Sequence, residues 1–270
     1  MKNINSIPKI IHYCWFGRNP LPAMAIRCIK SWRTFLPDYE IWEWNEDGIA
    51  PSSKSYADRY MTFNTNIIQY TQEAYSAHKY AFVSDYARFW VLYKFGGLYF
   101  DTDVEVIRNM DHIIARGSFM GFEQPSEEIK NSMNPLYKVA PGLGLGVNPG
   151  LDLYKELLDY YAKLHFLDEE GKPNPITIVK HTTEVLISKG LMQNNKLQQV
   201  AGVWIYPWDV FCPQSFYTNK ISMSEATVSI HLYSDSWHSP YENFKKKIDR
   251  LLGPRISSYI VKLKHLILLK

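Results

Sequence analysis

Apolar and polar positions along the chain sort into short alternating runs and longer periodic stretches. Behind Pro8, KIIHYCWFG (9–17) is a β-rich run closed by Gly17 and the turn residues RNPLP. Residues 23–35 predict a helix stopped near Pro37, and YEIWEWN (39–45) alternates like a half-buried strand. Strand, helix, strand within 45 residues predicts a βαβ unit and hence a parallel α/β sheet. Residues 74–95 hold neither Pro nor Gly and are apolar over most of their surface, which predicts one long buried helix ended by Gly96-Gly97. LYF (98–100) then predicts a short buried strand, with Asp101-Thr102-Asp103 at its C-terminal end. On an extended chain those two carboxylates point the same way, and they repel unless something positive faces them.

Further along, FMGFEQ (119–124) reads as a strand and PGLGLGVNPG (141–150) as a glycine-rich loop opening a helix at 151–164. Residues 176–190 predict another helix. WIYPWDVFCP (204–213) and ATVSIHLYSDSW (226–237) read as late strands or extended loops, and 241–270 as a helix interrupted near Gly253-Pro254.

Composition narrows the class. With 270 residues, 46% hydrophobic and 21% charged, the chain suits one sizeable domain with an appendage and does not read as disordered. The boundary is placed at 240: a catalytic domain over 1–240 and a basic tail over 241–270. The net charge of +3 hides an asymmetry, because residues 245–270 carry eight basic side chains against one acid, Asp249. Apolar residues recur among those charges at near-helical spacing, the pattern of a basic amphipathic helix that lies on an anionic membrane surface. The three cysteines, Cys14, Cys28 and Cys212, fit neither a disulfide framework nor a zinc motif. With no signal peptide, no run of about 20 apolar residues and no Asn-x-Ser/Thr sequon, the expected place is the cytoplasm, peripheral on the cytoplasmic face of the inner membrane. Nothing calls for nucleic acid as a partner.

Asp-x-Asp at a strand end suits a hard divalent cation, Mn²⁺ or Mg²⁺, which prefers carboxylate oxygen and keeps positions open for phosphate. In open α/β sheets, ligands bind beyond the carboxyl ends of strands. The preceding helix carries Asp85 and Arg88 three apart on one face, among neighbours that are nearly all apolar. An ionisable pair there is either a mutual buried ion pair or a site in which Asp85 accepts hydroxyl hydrogen bonds while Arg88 faces an anion. GLGLG is not a dinucleotide fingerprint, since Val147 stands where its third glycine belongs, and there is neither a phosphate-binding G-x-x-x-x-G-K-[ST] loop nor a G-x-S-x-G elbow. His181 and His231 stand apart in sequence, each structural unless the fold brings it to the metal.

Three stretches, IPKIIHYCWFG, SDYARFWVLYKFGGLYFDTDV and IHLYSDSW, together resemble the glycosyltransferases of family 32. That family includes bacterial capsular and cell-surface polysaccharide transferases, the yeast initiating mannosyltransferases and, distantly, the large clostridial glucosylating toxins. The resemblance covers residues 7–110 well and 225–238 loosely; 111–224, where the acceptor would be read, match nothing recognised. It implies a GT-A fold, a single Rossmann-like mixed α/β sheet flanked by helices, with a metal-dependent nucleotide-sugar site. It also implies that Trp15 stacks on the base, that Asp85, Arg88 and Asp101 contact the donor, and that Asp103 and His231 hold the metal. Ser236 and Trp237 would close over the diphosphate. The donor implied is a UDP-sugar, with a GDP-sugar as the alternative; the resemblance transfers no acceptor, and it is the basic tail that fits a growing cell-surface glycan on a lipid carrier. A retaining transferase of this kind needs no evident nucleophile; Glu123 and Glu184 are the remaining carboxylate candidates. Two other readings compete: a phosphohydrolase, disfavoured because Glu105 stands where its Thr or Val belongs, and a non-catalytic carbohydrate-binding domain, which leaves Asp85, Arg88, Asp101 and Asp103 without a role.

Overall fold

A computed structural model describes residues 6–50, 55–174 and 177–234. The tail at 241–270, with Ser236 and Trp237, lies outside these described residues. The chain opens as β1 (Ile10–Cys14), α1 (Ala23–Phe35), β2 (Glu40–Asn45) and β3 (Arg59–Thr62). It continues through α2 (Gln69–Ser76), α3 (Tyr80–Phe95), β4 (Gly97–Tyr99) and β5 (Val104–Val106). After α4 (Asp111–Ile114), β6 (Phe119–Gly121), α5 (Glu127–Lys130) and β7 (Leu145–Val147) come α6 (Asp152–Tyr161) and α7 (Ile178–Ser188). The remainder comprises β8 (Gln198–Val200), β9 (Val203–Tyr206), α8 (Trp208–Phe211) and β10 (Ser229–His231).

Eight strands form one mixed sheet in the order β3-β2-β1-β4-β7-β6-β9-β8. The β1-α1-β2 unit is parallel as expected, and β3, β2, β1 and β4 all run one way. β7 runs against both β4 and β6, so β4 and β6 point in the same direction. Apolar side chains alternate to the two faces with the strand period. Ile11, Tyr13 and Ile41 join Cys28, Ile29 and Trp32 of α1 on one face, while Cys14, Trp42 and Trp44 join α3 and α6 on the other. The buried residues of α1, Ala25, Cys28, Ile29 and Trp32, recur at helical spacing, which is why the sequence pattern locates that helix.

Three local expectations change. The stretch 74–95 is two helices, α2 and α3, parted at His78, whose φ of 57° is left-handed. The glycine-rich loop contains β7, held by ladders to β4 and β6 on either side. WIYPWDVFCP is a strand followed by the short α8.

Two features fix the end of β4. Gly97 has φ 98°, and a Cβ there would stand 2.6 Å from the Ile10 carbonyl, so only glycine lets α3 turn back into the sheet beside β1. Fully buried His12 braces the same corner: its Nδ1 accepts from the Trp44 indole at 3.0 Å and its Nε2 lies 2.9 Å from the Gly96 carbonyl. The indole can only donate and the carbonyl can only accept, so the ring is neutral with its proton on Nε2. Burial pushes its pKa down to about 4, against the pull of the Gly96 carbonyl.

Candidate active site

β4 carries the chain to the C-terminal edge of the sheet, where Asp101 emerges two residues past Tyr99. Residues 101–103 are a turn, closed by the Val104 amide on the Asp101 carbonyl at 2.9 Å. The carboxylates therefore converge through a turn and not by alternation along an extended strand. β5 then pairs antiparallel with β10, setting His231 opposite Val104, and the Leu232 amide donates to the Asp103 carbonyl at 2.9 Å. This small second sheet is what brings a histidine 128 positions away in the sequence to the acidic pair.

Each carboxylate has its own set of partners. Asp101 Oδ2 receives Arg88 Nη1 at 3.2 Å, and its Oδ1 accepts from the Tyr99 hydroxyl at 3.2 Å. Asp103 Oδ1 faces His231 Nε2 at 3.3 Å, while its Oδ2 accepts from the Ser234 amide and hydroxyl at 2.8 and 2.9 Å. Buried Arg88 also bonds Asp85 at 3.0 Å and the Ser84 carbonyl at 3.1 Å, and it lies over the Tyr99 ring at 5.0 Å. The Asp85–Arg88 pair is thus a mutual ion pair that also reaches Asp101.

Burial raises the Asp101 carboxyl above its ordinary value despite Arg88. Burial pushes Asp103 the same way, but His231 and the two Ser234 hydrogen bonds outweigh it, and Asp103 titrates low. Burial drives Asp85 up to about 7 against the pull of Arg88.

One ligand atom from each of Asp101, Asp103 and His231 falls within 4.8 Å of the other two. Oxygen and nitrogen donors about 2.1 Å from a Mg²⁺-sized cation sit at most about 4.2 Å apart, and Asp103 Oδ1 and His231 Nε2, 3.3 Å apart, already lie within that span. His231 Nδ1 is buried without a hydrogen-bond partner, a further sign of an imidazole whose polar contacts are incomplete. The residues present fit a hard divalent cation.

Trp15 leaves the same edge one residue past β1. Half-buried, with its indole donating to the Asn19 carbonyl at 2.6 Å, it borders a cleft of about 220 Å³ shared with Arg18, Asn45, Glu46 and Asp47. Glu184 is an exposed partner of Lys180, and His181 is buried against Tyr160, so both are peripheral to the cluster. Glu123 stands near His231 and is taken up below. The sequence reading missed two contributors. Ser234 lies within the quoted IHLYSDSW stretch, and only its place after β10 gives it a role. Gly142 packs so closely that a Cβ would stand 2.3 Å from Asp101 Oδ2 and 3.5 Å from Arg88 Nη1.

Residues 22–120, which span α1, the Asp85–Arg88 helix and the acidic turn, match the family described as "Glycosyltransferase sugar-binding region containing DXD motif". Over this region the chain is similar to the DXD-containing glycosyltransferases. Over 240 residues the chain is 31% identical to inositol phosphoceramide mannosyltransferase 3 of Schizosaccharomyces pombe, across 88% of this chain and 58% of that protein. Inositol phosphoceramide mannosyltransferase 1 of the same yeast is 25% identical over 142 residues, across 51% of this chain and 40% of that protein. The chain therefore spans about half the length of these relatives. Among solved structures, PaToxG glycosyltransferase superposes with a TM-score of 0.51 at 18% identity, covering 69% of this chain and 71% of that one, a likeness of fold. The fold is GT-A, and among the described residues no helix is long and apolar enough to cross a membrane.

Proposed function

We propose that this chain moves a hexose from a nucleoside-diphosphate sugar to a glycan or lipid-linked hydroxyl, with retention, using Mn²⁺ or Mg²⁺ held by Asp101, Asp103 and His231. The observation that carries this reading is the convergence of those three ligands beside a buried arginine at the C-terminal edge of the sheet. A cation bound there supplies a counter-charge for the negative charge that develops on the leaving diphosphate. The chain's own residues do the rest. Tyr99 and Arg88 orient Asp101, and Ser234 and His231 orient Asp103, which fixes the directions in which their oxygens are offered. Arg88 is engaged by Asp85, Asp101 and Ser84, so its role is to hold Asp101, while Asp85 offers the donor sugar its remaining oxygen. Trp15, at the cleft on the β1 side, stacks on the base.

The names of the yeast relatives suggest a mannosyl donor and an acceptor carried on an inositol-phosphate lipid, beside the UDP-hexose reading. Incubation with Mn²⁺ and a panel of UDP-glucose, UDP-galactose and GDP-mannose tests the proposal. Slow release of UDP or GDP from one member, abolished by EDTA, is expected. Cleavage of p-nitrophenyl phosphate without nucleotide-sugar turnover would restore the phosphohydrolase, and absence of both would leave a non-catalytic binding domain.

A further inference from the structure

Three strand ends line one edge of the sheet in spatial order. Trp15 follows β1, Asp101 lies two residues past β4, and Glu123 lies two residues past β6. β1, β4 and β6 run the same way, so all three residues leave the same edge. The order β1-β4-β7-β6 separates β1 from β6 by three strand spacings, roughly 14 Å. A ligand with its base at Trp15 and its diphosphate at Asp101, Asp103 and His231 would therefore point its sugar toward Glu123.

Glu123 is only partly buried, and among the described residues its carboxyl makes no hydrogen bond or ion pair; its backbone amide alone is engaged, by the Lys138 carbonyl at 2.8 Å. The charges it feels are those of Lys138 and His231. Cys212, Tyr217 and Tyr233 feel its own charge in turn. Cys212 and Tyr233 are occupied with each other at 2.9 Å, Cys212 also accepts from the Gln124 amide, and the Tyr233 ring lies 4.3 Å from that of His231. The side chains that feel its charge are thus already engaged with one another, apart from the exposed ring of Tyr217. Burial without donors pushes the Glu123 carboxyl up to about 7, against the pull of Lys138 and His231. What this carboxyl lacks is a hydrogen-bond donor, and a hydroxyl supplies one.

We propose that Glu123 is the residue that receives and orients the attacking hydroxyl, of water or of an acceptor sugar, against the anomeric carbon of the donor. This rests on the transferase reading above. In the step, the bond from the anomeric carbon to the diphosphate oxygen breaks with its electron pair going to the diphosphate. A new bond forms from the anomeric carbon to the hydroxyl oxygen, and the hydroxyl proton passes to the departing diphosphate. Glu123 accepts a hydrogen bond from that hydroxyl as it docks and releases it as the proton passes to the diphosphate, keeping only the second O–H where the acceptor is water, and ends unchanged.

The test is turnover of the same UDP-glucose, UDP-galactose and GDP-mannose panel, with water as the acceptor, by wild type, Glu123→Gln and Glu123→Ala in the full chain with Mn²⁺. Loss of orientation at a reacting atom costs about a hundredfold in rate. Glu123→Gln is expected to lower kcat on that scale at unchanged donor KM and unchanged Mn²⁺-dependent affinity for UDP or GDP. Glu123→Ala is expected to regain part of its rate in added formate, which a purely structural role would not allow. Wild-type kcat in Glu123→Gln, or loss of nucleotide affinity in step with kcat, overturns the assignment while leaving the transferase reading intact. A wild type that binds no nucleotide with Mn²⁺ overturns both. A variant that misfolds is recognised by its melting temperature, and Glu123→Asp then provides the test: rescue above 1% of wild-type kcat supports the role, and none refutes it.

Discussion

Asp103 is held by more than the metal it is proposed to bind. Its carboxylate accepts two hydrogen bonds from Ser234 and faces His231, and its carboxyl is correspondingly acidic. From the sequence alone, two adjacent carboxylates suggest that removing one relieves repulsion; in the structure, the same change strips Ser234 and His231 of their partner. Asp103→Ala is therefore expected to abolish Mn²⁺-dependent nucleotide binding and also to cost about 1–3 kcal/mol of stability without metal. Calorimetric titration with UDP or GDP and a metal-free melting curve check the two parts; a variant more stable than wild type would show that repulsion dominates after all. Gly142 makes a complementary case. An added methyl has nowhere to go but against Asp101 Oδ2, with Arg88 behind it. Gly142→Ala should leave a folded protein whose Mn²⁺ affinity falls at least tenfold, a loss of about 1.4 kcal/mol. An unchanged affinity would mean that the loop yields instead of the carboxylate.

At the scale of elements, the corner formed by β1, β2 and the end of α3 depends on a neutral histidine. His12 carries a folded-state pKa near 4 against an ordinary 6.5. Between those values the unfolded chain binds the proton and the folded chain does not, so stability rises with pH there and is lost as pH falls from about 6.5 toward 4. The shift corresponds to about 3 kcal/mol over that window. Glu43 on β2 is buried beside Tyr13 and Asn45 and is raised, chiefly by burial, so it titrates on its own account. Comparison with His12→Gln, which can still accept from Trp44 and donate to Gly96, isolates the histidine. The variant should show a flatter acid limb in melting temperature, and parallel profiles would assign the limb elsewhere. The elements around this corner were legible in the sequence because their signals are local. α1 has four buried positions at helical spacing and Gly96-Gly97 mark the end of α3; β2 is where the run rich in Ile and Trp places a strand, but it is buried at every position after Glu40 and not half-buried as the alternation suggests. β7 was not legible, because a three-residue strand with Gly146 at its centre carries little strand pattern and owes its extension to the ladders on either side. The break between α2 and α3 was hidden for a different reason: it sits at His78, a left-handed residue that neither Pro nor Gly announces. In the site, the strand-end position of Asp101 was local information, whereas the tight approach of Gly142 and the donors on Ser234 exist only once distant segments meet.

At the scale of the whole molecule, charge is divided along the sequence. Residues 245–270 hold eight basic side chains and one acid, which leaves 22 basic against 26 acidic residues in the rest. We propose that this segment draws the domain to anionic lipid, where each Lys or Arg near the surface contributes about 1 kcal/mol and salt screens the attraction within about 10 Å at 0.1 M. A lipid-borne acceptor would then be met in two dimensions, with the C-terminal edge of the sheet presented to it. The competing expectation is that the apolar residues of the same segment, Leu251, Leu252, Ile256 and Ile260 among them, dock on the domain and leave the lysines to solvent. The two differ in what deletion does. If the segment is a membrane contact, the full chain sediments with vesicles containing phosphatidylserine, is released by 0.5 M salt, and loses sedimentation on deletion of 245–270 while keeping its melting temperature and its nucleotide-sugar hydrolysis. If the segment is structural, the deletion lowers the melting temperature and hydrolysis together, and the full chain ignores acidic vesicles even at low salt. Co-sedimentation and melting of the same two proteins, in the same low-salt buffer, decide between them.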